Sequence, residues 1–137
     1  MPLKRLLAIT IAAVLTAVLL AFVVPSASAS APGKGLWLTQ AELEALPTSG
    51  PAWTGLVAAA SAPFEAASIA NNESNHDTQA FAAALVAART DDAAMRRKAI
   101  DAISAAMGTE NGGNALSLSR NLVAYVLAAD LVNLAAT

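Results

Sequence analysis

The stretch Asn71–Gln79, NNESNHDTQ, is nine polar residues in a row and holds the only histidine of the 137-residue chain, His76. Further along, Ser117, Asn121 and Tyr125 stand at i, i+4 and i+8, with Arg120 beside them. These residue types can handle protons around an anionic group. Histidine and tyrosine take up and return a proton, while asparagine and arginine hold a carboxylate. Asn75, His76, Arg120, Asn121 and Tyr125 are therefore the candidate substrate-binding residues, and no single residue stands out as a catalyst.

Each of them also has an ordinary structural role open to it. Asn75 or Asp77 can cap a helix that starts near His76, a contribution of about 1 kcal/mol. His76 in a first helical turn is then either exposed or bonded to a neighbour. Tyr125 can bury its ring and satisfy its hydroxyl locally, and Arg120 can pair with an acidic residue of a neighbouring helix. Glu73 and His76 have the i, i+3 spacing of half a di-iron carboxylate site. Such a site needs a second copy and two more glutamates, so no metal or cofactor is expected. Asn72-Glu73-Ser74 fits the glycosylation sequon, and a Ser-His-Asp reading has no nucleophile elbow behind it.

The elements that must position these residues are helical. Leu38-Thr39-Gln40-Ala41-Glu42-Leu43 carries a capping box, Thr39 with Glu42, and a hydrophobic staple, Leu38 with Leu43. Pro47 stops that first helix by Leu46, and Pro51 suits the first position of a second helix that runs to about Ser61. Residues 62–75 form a loop. A third helix spans about His76 to Arg89, with Phe81, Leu85 and Ala88 on one face. Thr90-Asp91-Asp92 turns and caps a fourth, Ala93 to Met107, and Gly108 is a good residue to end it. A fifth runs from Ala115 to about Leu134. No β-type alternation appears, so the fold class is all-α, built of antiparallel helical hairpins.

Upstream, Lys4 and Arg5 precede an apolar run from Leu6 to Val24, then Pro25 and a small-residue tail containing Ala27-Ser28-Ala29. This is the layout of a secretory signal peptide over residues 1–29, with 30–35 as a flexible lead-in and 36–137 as the helical domain. The alternative is an uncleaved membrane anchor, since about 20 apolar residues cross a bilayer. Removing Lys4 and Arg5 leaves six basic residues against ten acidic ones, a net charge of −4. With Arg96-Arg97-Lys98 as the only basic run, nucleic acid is not expected as a partner. No cysteine is present, so an exported domain has neither a disulfide nor a thiol nucleophile.

A resemblance rests on several motifs in order: Leu46-Pro47-Thr48-Ser49-Gly50-Pro51-Ala52-Trp53, Ser74-Asn75-His76-Asp77, Ala83 to Arg89 with Lys98-Ala99, Arg120-Asn121-Leu122, Tyr125-Val126 and Ala128-Ala129-Asp130-Leu131. In this order they resemble the N-terminal part of exported bacterial proteins with an alginate lyase-like domain. The resemblance implies a partial (α/α) toroid, helical hairpins ringed about a groove for an acidic polysaccharide. It also implies that this chain spans only part of such a ring and lacks a full active site. Cleaving a uronate polymer requires neutralising the C6 carboxylate, abstracting the C5 proton and protonating the leaving oxygen. In a toroid the Ser117-Asn121-Tyr125 strip would face the groove, with His76, Asn121 and Tyr125 lining a sugar cleft.

Around that strip the fifth helix is apolar in nearly every direction, which marks a buried helix. The preceding helices, rich in alanine, have enough surface to cover one side of it. The other class of function is therefore a small exported helical module that binds a partner, or itself, through the uncovered side.

Overall fold

The computed structural model describes residues 35–136. The signal-peptide and anchor readings of residues 1–29, including Leu6–Val24, lie outside them. Within them the chain is all-helical: α1 Gln40–Ala45, α2 Pro51–Ser61, α3 His76–Thr90, α4 Ala93–Ala106, α5 Ala115–Leu131, and a closing 3-10 turn, Leu134–Ala136. No helix among the described residues is long and apolar enough to cross a membrane.

The local signals act as their chemistry dictates. Thr39 and Glu42 form the full capping box at α1, the Thr39 hydroxyl accepting from the Glu42 amide at 3.2 Å and the Glu42 carboxylate from the Thr39 amide at 2.9 Å. The Thr39 amide, joined by the Thr39 hydroxyl at 2.8 Å, donates to the Glu42 carboxylate and holds it below its ordinary pKa. Pro51 stands in the first turn of α2. The Asp92 carboxylate accepts from the amides of Ala94 and Met95 at the start of α4. Gly108, at φ +84, takes the left-handed position that follows α4.

Two ends differ from expectation. Asn75 sits at the N-cap of α3 but makes no side-chain cap bond; its side-chain amide donates to Glu65 instead, at 3.2 Å. α5 stops at Leu131, earlier than expected, because Asn133 turns left-handed at φ 53. An asparagine tolerates that conformation better than its apolar neighbours do.

α3 is the hub, packing against α1, α2, α4 and α5. Its buried residues include Ala80, Ala82, Ala83, Ala84 and Ala87, so neighbouring helices approach a surface of methyl groups. As expected, the other helices cover only one side of α5. The covered side is the polar one: Ser117, Asn121 and Tyr125 are buried with Ala128 and Leu131. Leu116 (68% exposed), Leu122, Val123 (56%) and Val126 face outward.

Candidate functional site

The loop between α2 and α3 brings the two polar sets together. Its backbone pairs with itself only locally, as where the Ser74 amide donates to the Asn71 carbonyl, and the rest is held from outside. The Ile69 amide donates to the Thr109 hydroxyl at 2.9 Å, and the Ala70 amide to the Thr109 carbonyl at 3.3 Å. From α5, the Asn121 side-chain amide donates to the carbonyls of Ile69 and Asn71 at 3.0 and 2.9 Å, and Arg120 donates to the Asn72 carbonyl at 3.0 Å. Arg120 thus pairs with backbone and not with an acidic side chain of a neighbouring helix. Across the next turn, Gly113 has Ala70 Cα 3.1 Å and Leu118 Cδ2 2.7 Å from where a Cβ would sit, so a side chain there would require Leu118 to turn aside and the Ala70 backbone to give slightly.

Held in this way, the loop delivers α3 with His76 against Tyr125. The His76 Nδ1 and Tyr125 Oη atoms are 2.6 Å apart. His76 (3% exposed), Tyr125 (4%), Asp77 (4%) and Asn121 (0%) form one buried polar cluster. Burial pushes the Tyr125 phenol up to about 12, with help from the nearby Asp77 charge, so it stays protonated. Among the described residues no second acceptor engages that phenol. Its proton is therefore assigned to the bond with Nδ1, which makes Nδ1 the acceptor and places the ring proton on Nε2. Burial also lowers the His76 pKa; the charges of Asp77 and Glu65 oppose the shift without reversing it. The histidine is a neutral acceptor.

Around the imidazole, Phe64 stands edge-on at 5.7 Å between centroids. Lys98 lies over the Phe64 ring: its Nζ is 4.1 Å from the ring centroid and donates to the carbonyls of Ala60 and Ala62 at 2.6 and 2.7 Å. Burial lowers its pKa. Glu65 accepts from the amide and side chain of Asn75, and these bonds hold its carboxyl low. Two buried oxygens, Asp77 Oδ1 and Asn121 Oδ1, have no hydrogen-bond partner among the described residues. Among the described residues no three His, Asp or Glu side chains converge as metal ligands.

The structure therefore joins His76, Asn121 and Tyr125 in one place and sets Asn75 and Arg120 at its rim, both exposed. The Ser117-Asn121-Tyr125 strip faces the protein's own loop and α3, not an open groove. The contributions of Glu65, Thr109 and Lys98 were not read from sequence. Their partners are between 10 and 40 residues away, and no local pattern marks them. No family model, characterised protein or solved structure matches this chain.

Proposed function

We propose that the chain is an exported helical protein of the alginate lyase-like kind, a partial (α/α) toroid that binds acidic polysaccharide without cleaving it, and that residues 35–136 are its packing and binding layer. The observation that carries this reading is the meeting of His76 and Tyr125 at 2.6 Å. The two lie 49 residues apart in motifs that share the resemblance, and Asn121 is one turn from Tyr125. They are the residue types that C5 proton abstraction and carboxylate neutralisation use. In the described conformation all three are buried and engaged with each other or with backbone, so the cluster joins α3 to α5 and leaves a sugar ring no room. The test is twofold: calorimetric binding of alginate and related oligouronates to the chain, and the ultraviolet absorbance of unsaturated uronate product. Binding without product supports the reading. No binding to any acidic polymer removes the substrate class, and steady product formation removes the non-catalytic role.

A second reading has its own support in the uncovered face of α5. Leu122 and Val126 there border a shallow apolar cleft of about 170 Å³ with Ile69, Ile103 and exposed Met107. On this reading the chain is a helical module that self-associates without catalysis. A concentration-dependent dimer that Val126→Asp converts to monomer in sedimentation supports it. A wild-type monomer at high concentration defeats it.

A further inference from the structure

The turn between α4 and α5 holds a reactive pair that has no part in either function proposed above. The Gly113 amide donates to the Glu110 carbonyl at 3.1 Å, with Asn111 and Gly112 as the two central residues. Gly112 stands at φ +81, the dihedral a type II turn demands of its third residue. Both central residues are exposed. Among the described residues no hydrogen bond engages the Asn111 side chain or the Gly112 amide. With no Cβ on Gly112, nothing shields that amide nitrogen from the Asn111 carboxamide, and the peptide between them has the widest choice of dihedrals. A turn closed by a single exposed bond opens at little cost.

The other six asparagines of the chain each lack one of these conditions. Asn71 Oδ1 accepts from the Glu73 amide, which also occupies the nitrogen that Asn72 would need. Asn75 is bonded to Glu65, Asn114 caps α5 and Asn121 is fully buried. Asn133 precedes a leucine, whose side chain crowds the attacking nitrogen. We propose that Asn111 is a site of spontaneous deamidation, and that the isoaspartate it forms loosens the loop of residues 62–75. The Gly112 nitrogen loses its proton to hydroxide and attacks the Asn111 carboxamide carbon. The new C–N bond closes a cyclic succinimide, and the side-chain nitrogen leaves as ammonia. One water then opens the ring at either carbonyl, giving aspartate or isoaspartate. Isoaspartate adds a backbone methylene to the turn and sets a carboxylate next to Glu110. Both ends of this turn are in use. Thr109 holds Ile69 and Ala70, Gly113 packs against Ala70, and Asn114 accepts from the Ser117 amide. A lengthened turn cannot keep all three in register.

The test ages the full chain at mildly alkaline pH and follows it by mass-spectrometric peptide mapping and amide hydrogen exchange. The mass gain of amide-to-acid conversion is expected in the Asn111 peptide before any other, with isoaspartate the major product. Ile69 and Ala70 then lose protection in the aged protein. Asn111→Gln, whose longer side chain closes the ring poorly, removes both effects. Freshly made Asn111→Asp carries the charge on an ordinary backbone and keeps Ile69 and Ala70 protected. If a variant does not fold, the wild-type time course decides alone. Earlier modification at another asparagine, or an Asn111 that survives as long as the other six, overturns the site. Unchanged exchange at Ile69 and Ala70 in isoaspartate-bearing protein, or lost protection in fresh Asn111→Asp, overturns the mechanism of loosening.

Discussion

Tyr125→Phe removes one oxygen and leaves the ring in place. In the wild type that oxygen supplies the donor for His76 Nδ1 at 2.6 Å, and His76 is too buried for water to replace it. A buried acceptor left without its partner costs about 1–3 kcal/mol, more than the net value of an ordinary hydrogen bond. For a helical domain of this size the melting temperature should fall by about 5–15 °C at neutral pH. The pH dependence should change too. Burial depresses the folded His76 pKa, so the unfolded chain takes up the proton first. This contribution to stability is full above the unfolded value, about pH 6.5, and is lost as pH falls through the folded pKa. The slope is no steeper than about 1.4 kcal/mol per pH unit for one proton. Losing the phenol removes a bond to the neutral imidazole, so the folded pKa rises and this acid-sensitive span narrows. The chain has one histidine, so its imidazole signal can be titrated by NMR without overlap. Combining the change with His76→Phe should cost less than the sum of the two, by about 1 kcal/mol. A Tyr125→Phe protein that melts with the wild type, or a histidine that titrates at its free value in both, would refute the reasoning.

Other outcomes follow from bonds with clear geometry. Lys98→Met keeps the stem but loses the bonds to the carbonyls of Ala60 and Ala62 and the contact with Phe64; a loss of about 1–2 kcal/mol is expected in urea unfolding. Asp92→Ala deletes the cap of α4 and should lower stability by about 1 kcal/mol, read as a shifted denaturation midpoint at unchanged slope.

Local chemistry was legible and distant chemistry was not. Thr39 with Glu42, Pro51, Asp92 and Gly108 set helix ends through bonds or dihedrals that span a few residues, and the sequence contains all the information those need. Asn75 shows the boundary. Its cap position was readable, but its side chain turns to Glu65, ten residues back, and nothing local competes for it visibly. The same holds for the candidate site. Spacing placed Ser117, Asn121 and Tyr125 on one strip of α5, as they are. Periodicity gives which residues share a face and leaves open which face turns inward. Here the open backbone of residues 62–75 decides, because the carbonyl of buried Ile69 needs a donor that a polar strip brings, while the Asn71 carbonyl takes a second donor there beside the Ser74 amide. An apolar side turned inward would have left the Ile69 carbonyl unpaired at a cost of about 1–3 kcal/mol.

Among the described residues, ten of the eighteen buried apolar ones are alanine, and this has a mechanical consequence. Methyl groups make a helix face smooth, with few knobs to catch in a neighbour's grooves. Two such faces can slide along one another by a turn with little change in dispersion energy, as in uniformly packed cores that fold without settling. Directional bonds have no such tolerance. The His76–Tyr125 contact and the two carbonyls gripped by Asn121 act as detents that fix how far α5 is advanced along α3, the use for which buried polar groups are best attested. Without them the helices would still condense, but as a stack free to slip.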